Sequence, residues 1–380
     1  MHPELCTFTM LKARAPTPTR HSIRAPAGDS RQLHRTCRQP RLDYLSLLDQ
    51  RTRRWSKPVG RTLWPFSINN KLLGYLFALS VGVRTPQILF CSRGLAGLPA
   101  AWPRAWGRRF AVKPLFGTNS RGVVLVNNGI DVMSGRPARG RADVEKIYAE
   151  RSWQQLERGR TIYVEELVSS SSPWSSEKPS PPDDFKFLTF GRNVGAAYVA
   201  TGRGSNDYCI AWVDAAFRRV DRAGCARTRS SSTSPGFLQP PPEQSPSCGA
   251  MRRPPGWDAL LGAARKLGRA IGVHYRVDLL YGRQGVVLSE FTPLPFAGKF
   301  HCANPRANGS VDACHLGRLW QDGGEEGGVV PPVPEVLRPW WPGRYNEFDA
   351  QCHLVKRMQR SANRSAHRPS TVQQHSTSAQ

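Results

Sequence analysis

Residues 276–295 read RVDLLYGRQGVVLSEFTPLP, and the pairing of this stretch with itself decides the fold. His274 to Tyr281 alternates and is rich in β-formers, and Val286 to Phe291 does the same after Gly282-Arg283-Gln284-Gly285. That pattern predicts two antiparallel strands joined by a tight turn. Loop length sets the register. A three-residue loop, Arg283-Gln284-Gly285 with Gly285 left-handed in a bulge, places Asp278 opposite Glu290 and Arg276 opposite Thr292. A two-residue turn instead pairs Asp278 with Ser289 and sends Glu290 to the other face. The first register sets two carboxylates against each other, which costs up to about 1 kcal/mol unless positive charge lies between them. A hard cation meets that need, and magnesium takes one or two protein carboxylates and completes its octahedron with water and substrate phosphates. A solvated hairpin whose charges face water is the plainer alternative.

Upstream, Phe110-Ala111-Val112-Lys113-Pro114 leads into Leu115-Phe116-Gly117-Thr118-Asn119-Ser120-Arg121-Gly122 and then Val123 to Val126. This predicts a strand, a loop and a second strand. Small residues let successive backbone N–H groups point at an anion, as phosphate-cradling loops do, and Lys113 adds a compact charge beside them. No G-x4-G-K-[ST] run is present and no helix is expected after Gly122, so the loop is not a Walker loop. Further on, Thr161 to Val168 predicts a buried strand ending in the acids Glu165 and Glu166. Its end can offer backbone groups to a purine, while two edge glutamates are the simpler reading.

In this order the segments resemble the ATP-grasp superfamily. Asn70-Lys71, a helix and Gly82-Val83-Arg84-Thr85-Pro86 look like the family's opening segment, 112–123 like its lysine and phosphate loop, and Tyr163 to Leu167 like its adenine hinge. Arg276 to Leu280 and Ser289 to Pro293 look like its two metal strands. Within the superfamily the chain is most similar to the TupA-like branch, associated with teichuronopeptide and other glycan biosynthesis. The shared pieces are Asp184-Phe185-Lys186-Phe187, the two metal strands and Asp312-Ala313-Cys314-His315-Leu316-Gly317-Arg318-Leu319-Trp320. The match spans roughly residues 60 to 320.

The resemblance implies an α+β ATP-grasp fold, two lobes with antiparallel sheets enclosing a nucleotide cleft. It implies that Lys71 and Lys113 hold ATP phosphates, with Gly117, Ser120 and Gly122 in the loop that closes over them. Glu165, Glu166 and Leu167 would meet the adenine, and Asp184 and Lys186 would lie near ribose or phosphate. Arg276 would neutralise the transferred phosphoryl group together with Lys113, and Asp278, Glu290 and Thr292 would face Mg2+. Many family members carry an asparagine where this chain has Thr292, a weaker ligand, so the resemblance leaves one metal or two open.

The implied chemistry is ATP-dependent carboxylate–amine ligation through an acyl phosphate, on a carboxylate and an amine that the resemblance to that branch implies to be glycan- or peptide-linked. Such a reaction depends on positioning and on cations that stabilise developing charge. Lysines, an arginine and paired acids suit it. No G-x-S-x-G elbow or His-Glu metalloprotease helix is present, so hydrolase readings find no support. The alternative is a catalytically weak pseudoenzyme or scaffold that keeps the fold and binds anionic polymer through its charge.

The chain has 380 residues and 54 Lys and Arg against 28 Asp and Glu, a formal charge of +26. That balance permits contact with anionic surfaces, but the basic residues form no single amphipathic stripe and no RNA-recognition or zinc-finger signature appears, so no specific nucleic-acid partner is expected. Nine cysteines with no C-x-x-C pair are expected to be free thiols in a reducing, cytoplasmic setting. The Arg-rich first forty residues are compatible with an organellar segment instead. No transmembrane segment is expected, since the longest uncharged apolar stretch, Leu72 to Val83, is too short.

The expected organisation is a disordered or targeting segment at 1–40, a pre-grasp segment at 41–108, the small lobe at 109–168, a Ser/Pro-rich insertion at 169–183, the large lobe at 184–320 with an insertion at 222–255, and an extension and tail at 321–380. Helices are expected at Leu42 to Arg53, from a cap at Ser67 or Asn69 to about Ser80, at Ala142 to Arg158 and at Asp258 to Ile271, with a polar tail from Arg357. The acceptor pocket is expected around Phe296 to Asn304 and the two insertions.

Overall fold

The computed structural model describes residues 44–56, 63–116, 121–151, 153, 161–169, 182–201, 209–219, 252–295, 313–325, 331–341 and 347–366. Expectations for the first forty residues, Gly117, Ser120, Phe296 to Asn304 and most of both insertions lie outside them. The described chain is α+β. One sheet is built from β1 (Ile88–Arg93), β2 (Arg109–Pro114), β3 (Val124–Asn127), β4 (Ile130–Asp131) and β5 (Thr161–Glu166). The other comprises β6 (Asp184–Phe190), β7 (Asn193–Thr201), β8 (Cys209–Val213), β9 (Tyr275–Gly282) and β10 (Gly285–Thr292). Both are antiparallel, in the orders β1-β5-β2-β3-β4 and β10-β9-β6-β7-β8.

Strand alternation gives each sheet an apolar face. In the first sheet Phe110, Val112, Val124, Val126, Ile162 and Val164 pack with Val144, Ile147 and Tyr148 of α3 (Arg141–Glu150). That helix ends at Glu150, earlier than Arg158, and Trp153 folds back edge-on against Tyr148. In the second sheet Phe185, Phe187, Tyr275, Val277, Leu279, Leu288 and Phe291 pack on α4 (Trp257–Ile271). In the helix expected at Asp258 to Ile271, the stripe Leu260, Leu261, Ala264, Leu267 and Ile271 is buried. Gly272, at φ 74°, ends α4 in the left-handed conformation that a helix C-terminus favours in glycine.

The helix α2 (Lys71–Ser80) is capped by Asn70, not by Ser67 or Asn69. Ser67 closes a separate turn, Trp64–Ser67, by donating to the Trp64 carbonyl at 2.6 Å. Asn70 has the extended backbone a cap needs, and its Oδ1 accepts from the Leu72 and Leu73 amides. Residues Lys71 to Ala78 are all buried, because α2 lies between β10 and a C-terminal helix, α6 (Phe348–Ala366). The helix α1 (Tyr44–Ser56) packs with α5 (Ala313–Trp320) over Leu188, Phe190 and Ala196 at one end of the second sheet.

Three expectations are corrected. The hairpin is closed by Gly282 opposite Gly285 around the two residues Arg283 and Gln284, so the shorter turn is the one used. Gly285 does take a positive φ of 90°, but the register shift lies between Leu288 and Glu290, a bulge at Ser289 that restores Asp278 opposite Glu290 and Arg276 opposite Thr292. The polar tail expected from Arg357 is helical to Ala366, since its buried face carries Gln351, Cys352, Val355 and Gln359, two of them amides that apolar periodicity overlooks. Finally, Cys91 and Cys352 are not free thiols but a disulfide. Among the described residues no helix is long and apolar enough to cross a membrane.

Candidate functional site: a charged cleft between the sheets

Opposite its apolar side, β9 presents Arg276, Asp278 and Leu280. The neighbouring strands bring Lys186 of β6 and Glu290 of β10 level with Asp278. Arg276 grips Asp278 with two hydrogen bonds, Nε to Oδ1 and Nη2 to Oδ2, each 2.7 Å. Its Nη2 also reaches Glu290 Oε1 at 3.3 Å. Lys186 Nζ donates to Asp278 Oδ2 at 2.6 Å and lies 2.7 Å from Asp184 Oδ2. From α2, Lys71 Nζ approaches Glu290 Oε2 to 3.8 Å.

The first sheet closes the other side. Lys113 of β2 sits opposite Tyr163, and its ammonium pairs with Glu165 Oε1. Tyr75 of α2 donates to Glu165 Oε2 at 2.7 Å, and its hydroxyl lies 3.3 Å from the Ser289 carbonyl. One phenol thus links the lysine side of the first sheet to the bulge of the second. Four cations, Lys71, Lys113, Lys186 and Arg276, are interleaved with the carboxylates of Glu165, Asp184, Asp278 and Glu290. The positive charge between the opposed acids is supplied by the chain's own Arg276 and Lys186, the arrangement that makes such a pairing tolerable.

The groups tune one another. Burial alone would raise the Glu290 carboxyl, but Lys71, Lys186 and Arg276 outweigh it and hold the group down at about 2. Burial would lower Lys186, yet Asp184 and Asp278 raise it. In Lys71 the balance is reversed: burial lowers the ammonium despite Glu290. Burial and the charge of Glu165 raise the Tyr75 and Tyr163 phenols well above the usual value, so both remain neutral.

The expected site residues separate into two groups. Lys71, Lys113, Glu165, Asp184, Lys186, Arg276, Asp278 and Glu290 converge, with Thr292 beside Arg276 on β10. Glu166 and Leu167 do not join them. The Glu166 amide donates to the Gln87 carbonyl at 2.9 Å and the Leu167 amide to the Arg109 carbonyl at 3.3 Å, so both N–H groups are taken up within the first sheet. Gly122 lies at the end of the loop with φ 77°, where an added Cβ would come within 2.9 Å of Pro114 Cγ. The Tyr148 hydroxyl pins its carbonyl. Tyr75 escaped the sequence reading, although it stands four residues after Lys71 and so shares its helical face.

An ion taking one or two carboxylates fits the donor chemistry at Glu290 and Asp278. Glu290 is ionised and its side chain is 30% exposed, whereas Asp278 is fully buried under Arg276 and Lys186. Among the described residues no group of three or more His, Cys, Asp or Glu is placed to hold a metal ion.

No protein-family model matches the chain, and no curated protein matches it. Solved structures similar to it include D-alanine–D-alanine ligase from Bacillus anthracis complexed with ATP, at 11% identity and a TM-score of 0.37, over 70% of this chain and 65% of that one. Another is a RimK-domain ATP-grasp protein from Sphaerobacter thermophilus, at 13% identity and a TM-score of 0.35, over 67% of this chain and 68% of that one. D-alanine–D-alanine ligase from Helicobacter pylori gives 16% identity and a TM-score of 0.33, over 66% and 60%. The chain thus spans 65% of the first of these proteins.

Proposed function

We propose that the cleft binds the phosphates of ATP and that the chain is an ATP-grasp carboxylate–amine ligase of the TupA-like kind, acting on a glycan- or peptide-linked substrate. The observation that carries this reading is the convergence of Lys71, Lys113, Lys186 and Arg276 in one charged cluster between two antiparallel sheets. Their charge is taken up by carboxylates, and a polyphosphate offers bidentate partners for the guanidinium. Beside the ionic row Leu280, Val287 and Val168 form a small buried apolar cluster.

Mg2+, when held by Glu290 and Asp278, would neutralise phosphate charge and align the transferred group. The chain's own residues do the rest. Lys71 and Lys113 would hold the phosphates, with Lys113 oriented by Glu165 and Glu165 by Tyr75. Arg276 would turn from Asp278 toward the transferred phosphoryl group. A carboxylate oxygen attacks the γ-phosphorus and ADP leaves. An amine nitrogen then attacks the acyl carbon, phosphate departs, and the amine loses a proton. Holding both reactants between the sheets keeps the acyl phosphate from water.

Phosphate release from ATP, followed with a panel of amino acids and acidic sugars as carboxylate and amine donors, tests the reading. Release that requires both an acid and an amine supports it. ATP left intact under every pairing, with no nucleotide bound even when magnesium is supplied, would sink it.

A further inference from the structure

We infer that α6 is a strap anchored by the Cys91–Cys352 disulfide and that its Gln351 is a positioning residue for Lys71, so that nucleotide affinity follows the oxidation state of that bond. The inference rests on the nucleotide reading of the cleft. Gln351 is fully buried, and its Oε1 accepts from Asn70 Nδ2 at 3.2 Å. The other end of the same Asn70 amide caps α2 by accepting from Leu72 and Leu73 at 3.0 and 3.3 Å. Gln351 therefore fixes the orientation of the group that starts α2. Lys71 is the first residue of that helix and the one that reaches Glu290. Tyr75 follows one turn later.

One residue after Gln351, Cys352 is bonded to Cys91 of β1, 261 residues away in sequence. The remaining ties of α6 reach the same region. Gln359 accepts from the Ile88 amide and donates to Thr85 Oγ1 and the Pro86 carbonyl. Lys356 donates to the Leu89 carbonyl at 3.0 Å. At the helix start, Phe348 meets Phe116, the residue before the phosphate loop, edge-on at 5.9 Å. The strap thus bears on both lysine-carrying segments. A helix stays docked only as far as its contacts tie it down, and the disulfide is the covalent tie beside Gln351. Two electrons and two protons from a dithiol break the Cys91–Cys352 bond to give two thiols, while the dithiol closes to its own disulfide. In a reducing compartment such bonds are transient and serve as sensors.

The experiment uses the full chain, with ATP plus magnesium as the probe. Reduction by dithiothreitol is expected to weaken binding roughly 3- to 30-fold, the range that coupling through positioning residues spans. Cys91→Ser should bind like the reduced protein and ignore dithiothreitol. Gln351→Leu, which keeps the disulfide, should weaken ATP to a similar degree, and Gln351→Glu, which keeps an acceptor for Asn70, should restore it. In a Lys71→Met background Gln351→Leu should have no further effect, a result a merely structural role would not produce. Hydrogen exchange at the Leu72 and Leu73 amides, without nucleotide, should quicken on reduction and in Gln351→Leu. ATP affinity unchanged by both reduction and Gln351→Leu overturns the inference and leaves the nucleotide reading standing. An oxidised wild type that binds no ATP overturns both.

Discussion

The two faces of the β9–β10 hairpin differ by a single residue step along the chain, yet one is apolar and the other ionic. Tyr275, Val277, Leu279, Leu288 and Phe291 are sealed against α4 and α2. Arg276, Asp278, Glu290 and Thr292 look toward the first sheet. The faces also differ in what holds them. The apolar side is stabilised by area removed from water and tolerates changes of shape within limits. The ionic side is stabilised only while every charge keeps its partner. Such a face suits a site, because a ligand can exchange partners there without disturbing the packing behind it.

The bulge at Ser289 is the device that keeps the two faces distinct, with Glu290 on the ionic side and Phe291 on the packed side, so exchanging these two side chains should have the largest effect. The double variant Glu290→Phe, Phe291→Glu puts a carboxylate among the packed apolar groups and a ring among the charges. Loss of a cooperative thermal transition is expected; a variant that melts like the parent would mean that the bulge does not set the faces. The next largest effect is expected from Asp278→Ala, which leaves Arg276 and Lys186 buried without their shared acid and should cost about 3–5 kcal/mol in denaturant unfolding. Leu279→Ala, one step along on the other face, should cost about 2–5 kcal/mol by cavity formation, and nucleotide affinity should be unchanged. A large affinity loss in Leu279→Ala would show that the faces are not independent.

A smaller effect concerns pH. His274 lies next to the hairpin in the buried cluster with Tyr44, Phe190 and Trp320. Its Nδ1 lies 2.8 Å from the Thr189 carbonyl. Burial, with Arg51 nearby, holds the imidazole well below its usual value, so the folded protein keeps it neutral. The unfolded chain binds a proton near pH 6.5 and the folded one does not. Stability is therefore complete above that pH and declines as pH falls through it, by at most about 1.4 kcal/mol per unit. Denaturant unfolding between pH 7.5 and 5 should show the slope, and His274→Gln should flatten it; an equal slope in both would remove His274 as the cause.

Much of this was legible in the residues. Alternation marked β9 and β10, and the 3.6-residue spacing of Leu260, Leu261, Ala264, Leu267 and Ile271 marked α4. Arg276, Asp278, Glu290, Lys113 and Glu165 were found because charged side chains in otherwise apolar strands stand out, whereas Lys71, Asp184 and Lys186 were expected only from the family resemblance. The bulge was missed, although it leaves a trace: Leu288 and Phe291 are three apart, yet both are apolar and both face the core, which strict alternation forbids. The docking of α6 left less to read. Its buried face hides glutamine amides, whose partners Asn70, Thr85 and Pro86 lie more than 270 residues earlier in the chain. No local pattern can encode such a pairing, nor the joining of Cys91 to Cys352.

The central claim is that the ionic face serves nucleotide phosphates rather than merely neutralising itself. Isothermal titration of ATP with magnesium into the wild type and Lys113→Met tests it most directly. The account predicts saturable binding to the wild type and binding at least about tenfold weaker to the variant, in line with loss of a charge-assisted contact of roughly 1.5–3 kcal/mol, with the melting transition retained. Equal affinity in the two proteins, or no binding to either, would contradict it.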